Sequence, residues 1–176
     1  MKKNLITVSK LMLLCFIVVM VSSCGNVSKK LVGTWEAQDN EMEEKNIGFI
    51  RDMKEDGTFQ DKIIMEITED EGGFKAQMNI VILIDGKWDA KGKFYAFEYD
   101  MQSAKMEEIE SAIFSAKEEE KAEYEERVSI LTDYGLELFT SELPKGRQQY
   151  FNLKVNDAQF SYLTEDGEET WKKVEN

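Results

Sequence analysis

The chain has 176 residues, with 22 basic and 35 acidic side chains and a net charge of −13. That balance argues against a nucleic-acid partner, because gripping phosphate needs a basic surface. Histidine is absent, which excludes His-dependent triads, His metal ligands and His pH switches.

Lys2, Lys3 and Lys10 give a positive start, and Leu11 to Val21 is an unbroken apolar run of eleven residues. A helical membrane span needs about 20 apolar residues, so this run has the length of a signal-peptide core. The segment that follows, Val21-Ser22-Ser23-Cys24, resembles the lipobox of bacterial lipoproteins. The resemblance implies a signal peptide over 1–23 and cleavage between Ser23 and Cys24. It also implies a diacylglyceryl group on the Cys24 thiol and an acyl chain such as palmitate on its new amine. An ordinary secretory signal with an incidental cysteine is the plainer alternative. No other cofactor is expected.

Residues 25–30 would then form a short tether, reaching about 20 Å. Position 25 is Gly, not the Asp that resembles an inner-membrane retention signal. The expected address is therefore the outer membrane, on its periplasmic face, since no acidic run follows Cys24. The remaining 153 residues suit one domain. Their net charge of −16 argues against a broad footprint on anionic lipid and leaves anchoring to the acyl chains. Cys15 departs with the signal, so no cysteine is free for a disulfide.

Beyond the tether, apolar and polar residues alternate as in half-buried strands. Leu31, Gly33, Trp35 and Ala37 share one face, as do Ile47, Phe49 and Met53, and then Phe59, Ile63, Met65 and Ile67. Asp56-Gly57 and Glu71-Gly72-Gly73 mark turns between them. Phe74, Ala76, Met78, Ile80, Ile82 and Ile84 form the clearest strand. Asp85-Gly86 reads as a turn into a new strand at Trp88-Asp89-Ala90, and Lys91-Gly92 as a turn into Phe94–Tyr99.

From Ser103 to about Val128 the chain is rich in Glu, Lys and Ala, without Pro or Gly, which predicts a helix. Met106, Ile109, Ile113 and Ala116 make a stripe at helical spacing, resumed by Tyr124, Val128 and Leu131. The helical insertion is expected over about 103–131, with Gly135 interrupting it. Residues 136–143 suit either a further helical piece or a strand. Phe151, Leu153 and Val155 alternate, then Ala158, Phe160 and Tyr162, and Asp166-Gly167 turns into Thr170–Val174. About nine strands with hairpin spacing predict a mainly β fold. The expected form is an antiparallel up-and-down barrel or strongly curved sheet with one α-helical insertion.

Leu31-Val32-Gly33-Thr34-Trp35, the hairpin Glu55-Asp56-Gly57-Thr58-Phe59 and the ending Leu163 to Val174 resemble lipocalins and lipocalin-like lipoproteins of bacteria. That resemblance implies a lipocalin-like domain over 31–176, and with it a pocket for a small apolar or amphipathic molecule. The central helix departs from the compact lipocalin plan. Trp35 and Trp88 are read as core residues rather than pocket walls, so no ligand-binding residue is nominated.

No phosphate loop, nucleophile elbow or cysteine pair is present, and no catalytic residue is nominated. Glu69–Gly73 and Glu165–Glu169 lack the ligand spacing of an EF-hand, so no metal site is expected. The leading expectation is a non-enzymatic, membrane-anchored carrier in the cell envelope. An envelope protein-interaction module with a filled barrel is the alternative, marked by an apolar patch on the helix. A carboxylate-based hydrolase is third.

Overall fold

The computed structural model describes residues 27–38 and 46–175. The expected signal peptide, and the cleavage and lipidation expected at Ser23 and Cys24, fall outside these residues. The chain enters through a one-turn helix, α1 (residues 27–31). Among the described residues nine strands follow: β1 (Gly33–Ala37), β2 (Ile47–Met53), β3 (Thr58–Glu71), β4 (Phe74–Lys91), β5 (Phe94–Tyr99), β6 (Lys105–Ser115), β7 (Gln148–Val155), β8 (Gln159–Leu163) and β9 (Glu168–Lys173). A long helix, α2 (Glu118–Glu142), lies between β6 and β7.

Eight of the strands close into a barrel in the order β1-β2-β3-β4-β5-β7-β8-β9, with β9 returning to β1 and β3 also pairing β4. Every pairing is antiparallel and joins strands that follow one another along the barrel. The fold is thus a mainly β, up-and-down closed barrel with a helical insertion, the architecture expected from the alternation. Closure removes the sheet edges within the barrel wall.

The long strands β3 and β4 overrun the barrel. Among the described residues only Ile47–Met53 of β2 covers β3, up to Met65, and β3 and β4 continue together to their hairpin at Gly72-Gly73. There β6 adds to the edge of β4 and α2 packs on the resulting three-stranded annex. Ile63, Met78, Ile80, Ile82 and Ile84 form its core, with Val128, Leu131 and Phe139 of α2 laid against them.

Two expected boundaries move. Asp85-Gly86 is no turn, and β4 runs straight through it to Lys91. The glycine is there for space: a Cβ at Gly86 would sit 2.2 Å from Phe59 Cζ and 2.6 Å from the Glu98 carbonyl oxygen. The helix expected from Ser103 begins only at Glu118, and residues 105–115 are strand. The pairings Ile82 with Met106 and Val81 with Glu108 leave Glu107 as an extra, bulged residue. Met106 and Ile109 therefore face the same way although three residues apart. A second bulge separates Ile113 and Ser115. Two bulges in a strand thus imitate the spacing of a helix.

The α2 helix then runs unbroken through Gly135, where interruption was expected, to Glu142. Its N-terminus is fixed by the Lys117 amide donating to Glu120 Oε2 at 2.7 Å. Glu118, Glu119 and Glu120 in its first turn complement the helix dipole. It stops before Pro144, which forces Leu143 out of the helical region. Phe151 also departs from expectation. Asn152 adopts φ +57° at a register shift between β7 and β8, so Phe151 faces outward while Leu153 faces in. Residues 27–30, expected in the tether, are helical.

Two glycine substitutions should move stability in opposite directions, read as urea midpoints. Gly86→Ala should lose about 1–3 kcal/mol through overpacking against Phe59. Gly135→Ala should gain up to about 1 kcal/mol, because its nearest neighbour is the flexible Met106 Cε at 3.4 Å.

Candidate functional site

The inward positions of β2 and β3 hold two charged residues in an otherwise apolar series. Arg51 lies directly opposite Asp61 across the β2–β3 ladder, and both are buried, at 1% and 0% exposure. Arg51 Nε donates to Asp61 Oδ1 at 2.7 Å and Nη2 to Oδ2 at 2.6 Å. This is the bidentate geometry that makes an arginine–carboxylate pair strong. Arg51 Nη1 donates to the Tyr95 hydroxyl at 2.8 Å. The Tyr99 hydroxyl accepts from Nη2 at 3.0 Å and donates to Asp61 Oδ2 at 2.8 Å.

Aromatic faces surround the same guanidinium. Its central carbon lies 4.3 Å from the Phe59 ring centroid, 4.5 Å from Phe97 and 4.9 Å from Trp171. Burial alone would push the Arg51 guanidinium down, but the Asp61 charge and then Tyr95 and Tyr99 hold it well above its ordinary value. Burial raises the Tyr95 hydroxyl. Burial, reinforced by the Asp61 charge, holds Tyr99 well above the ordinary tyrosine value. Burial, reinforced by Glu169, does the same for Tyr162.

The space around the cluster is occupied by packed rings. Trp35 meets Phe160 edge-on at 4.9 Å, and Phe160 stacks on Trp171 at 5.7 Å. Tyr95 and Tyr162 lie 5.1 Å apart, and Tyr150 and Tyr162 4.7 Å. Trp35 is fully buried and its indole donates to the Leu31 carbonyl at 2.7 Å, while Trp88 donates to the Thr58 carbonyl at 2.9 Å. Both are core residues, tying α1 and the β2–β3 hairpin to the wall. The Trp171 indole nitrogen is buried without a hydrogen-bond partner among the described residues.

Two clefts lie outside the barrel. One, between the β3–β4 hairpin and the start of α2, is lined by acids and Arg127. The other lies on the outer wall of β4, β5 and β7, beside the ion pair of Arg147 with Asp89. Among the described residues no group of acidic or cysteine side chains has the arrangement of a metal site, and no helix is long and apolar enough to cross a membrane.

The annex carries an apolar stripe facing solvent. Tyr124 anchors α2 by donating to the Gln77 carbonyl at 3.0 Å, and Arg127 grips Glu69 through two bonds of 2.9 and 3.1 Å. With that face fixed, Ile130, Tyr134 and Leu138 stand on the neighbouring flank at 49%, 60% and 61% exposure. Their spacing of four places them in one row. Sequence reading found the buried stripe but missed this row. It also missed Arg51 and Asp61, although their parity with Phe49, Met53, Phe59 and Ile63 placed them inward.

No protein-family model matches the chain, and no curated protein matches it.

Removing one member of the buried pair strands the other. Arg51→Met and Asp61→Leu should each cost about 3–5 kcal/mol in urea unfolding, and the double variant should recover much of that loss. The tyrosines set an alkaline limit. An unfolded chain loses its tyrosine protons near pH 10, while the raised folded values keep Tyr95, Tyr99 and Tyr162 protonated. Above that pH the folded state holds more protons, so stability falls as pH rises. Urea midpoints should be level below about pH 9 and drop through pH 10–11. Tyr99→Phe should flatten that drop.

Proposed function

We propose that the mature chain is a lipid-anchored envelope protein whose filled barrel is a scaffold, and whose exposed annex meets a protein partner. The observation that carries this reading is the occupied barrel axis, where Arg51 fills the centre and a layer of aromatic rings fills the rest. An eight-strand barrel either holds one small ligand or is filled by its own side chains, and this packing supports the second reading. The apolar row Ile130, Tyr134 and Leu138 on α2 supports an interaction role, since exposed apolar patches mark contact sites.

The anchor rests on the sequence Val21-Ser22-Ser23-Cys24 and its resemblance to a lipobox, with the outer membrane as the proposed address. A carrier role rests on the barrel architecture alone, and architecture does not fix function. The proposed role is non-catalytic: the strongest cluster of titratable groups is sealed inside the wall.

Native mass spectrometry on protein gently extracted from envelopes tests the scaffold reading. A mass equal to the acylated polypeptide is expected, and a stoichiometric adduct lost on denaturation would establish the carrier instead. A photo-crosslinker replacing Tyr134 should trap one discrete protein in cells, while one at Glu98 on the barrel wall should not. Equal yields at both sites would sink the annex as the contact surface.

A further inference from the structure

The charge of the molecule is divided between its two ends. In an up-and-down barrel alternate connections fall at the same end, so α1, the β2–β3 and β4–β5 hairpins, the β7–β8 turn and the end of β9 lie together. Contacts confirm the grouping: Ser28 Oγ donates to the Ala90 carbonyl at 2.8 Å, Lys30 pairs with Asp157 at 3.5 Å, and the Lys173 amide donates to the Ala158 carbonyl at 2.8 Å. Lys29 and Lys30 come from α1, and Lys91 and Lys93 flank the β4–β5 hairpin. Lys54, Lys172 and Lys173 complete the set, and all seven are exposed. Glu55, Asp56, Asp157 and Glu175 share this end, and Asp52 and Glu36 lie in the ladder beside Thr34 and Lys172, which leaves it a net +1 on a mature chain of −16.

The opposite end is acidic. Glu66, Glu69, Asp70 and Glu71 lie along the overrunning part of β3, and α2 opens on three consecutive glutamates. Lys29, Lys54, Lys91, Lys93 and Lys172 form no ion pair among the described residues, and their charges are free to meet an external anion. Phe94, beside Lys93, and Val174, beside Lys173, add exposed apolar side chains of 56% and 37%.

We propose that this lysine-rich end is a docking face for the anionic phospholipid headgroups of the membrane that carries the anchor. The proposal rests in part on the lipid-anchor reading. Cys24 is three residues from α1, a span of about 10 Å at full extension, so acyl chains on it place this end, and not the acidic one, against the bilayer. Negative lipid then attracts the near end and repels the far end. The net charge of the mature chain argues against such a footprint only because it averages two opposed faces.

The test uses the mature, acylated chain in vesicles, with a spin label on Ala158→Cys at the lysine-rich end or Glu119→Cys on α2. Each is the one free thiol when Cys24 is acylated and Cys15 is removed with the signal, and a chain that mass spectrometry finds unacylated is labelled again with Cys24→Ser added. Mass spectrometry first reports the acylation. In phosphatidylglycerol vesicles the residue 158 label should be shielded from an aqueous relaxer, and the residue 119 label should stay accessible. Phosphatidylcholine alone should shield neither fully. A lysine near an anionic surface contributes about a five-fold bias, so adding Lys91→Glu and Lys93→Glu should abolish the difference between the two lipids. One-molar salt should do the same, with its screening length of about 3 Å. An acylated chain whose residue 158 label is equally accessible in both lipids overturns the docking face and leaves the anchor. An unacylated chain still shielded by phosphatidylglycerol overturns the anchor and leaves the docking face. An unacylated chain shielded by neither lipid overturns both.

Discussion

A guanidinium in the middle of an apolar barrel requires a carboxylate at one place only, and the pairing of Arg51 with Asp61 meets that requirement across a single rung of the β2–β3 ladder. Slipping the register by one residue would move a charge to the outer face and leave its partner buried and alone. The cluster extends the constraint to further strands. Tyr95 and Tyr99 come from β5, and the Trp171 ring from β9. Such a pair adds little net stability over apolar packing of equal volume. Its contribution is to make one alignment of four strands far better than its neighbours.

The proposed role places the molecule's contacts on its surface. The barrel wall holds two ends apart that differ in charge and shape. One is closed by α1 and ringed with lysines, and the other broadens into a sheet faced by α2. Edges such as those the annex leaves unpaired among the described residues are of the kind that invite strand addition. The overrunning part of β3 carries Glu66, Glu69, Asp70 and Glu71, and β6 carries Glu107, Glu108 and Glu110. Charge on an edge strand disfavours pairing with a second chain, so the acidity of this end has a conformational use as well as an electrostatic one.

The barrel was legible because period-two alternation survives in β2, β3, β4, β8 and β9, where one face is buried. What misled was local chemistry with two meanings. Asp85-Gly86 carries the residues of a turn, but the glycine is selected by the Phe59 ring pressing on it. In β6, bulges at Glu107 and Phe114 convert alternation into spacings of three and four, and the Glu-rich composition agrees with a helix. Only the partner strand β4 decides the matter, which is a tertiary fact. Asn152 does the same on a smaller scale to Phe151. Arg51 and Asp61 were readable by parity alone. Their type concealed them, since charged residues in a strand are ordinarily assigned to the wet face.

The overrun of β3 and β4 also has a mechanical side. Eighteen residues of β4 extend about 60 Å along the contour, from the hairpin beside α1 to the far tip of the sheet. A strand pair of that length, stiffened by β6 and by the clamp of Tyr124 and Arg127, behaves as a mast rather than a hinge. Under the proposed anchor its foot would stand at the bilayer, and the strand pair would set an altitude. The row Ile130, Tyr134 and Leu138 would then be held above the headgroup layer, and a partner would have to rise that far or come from across the gap.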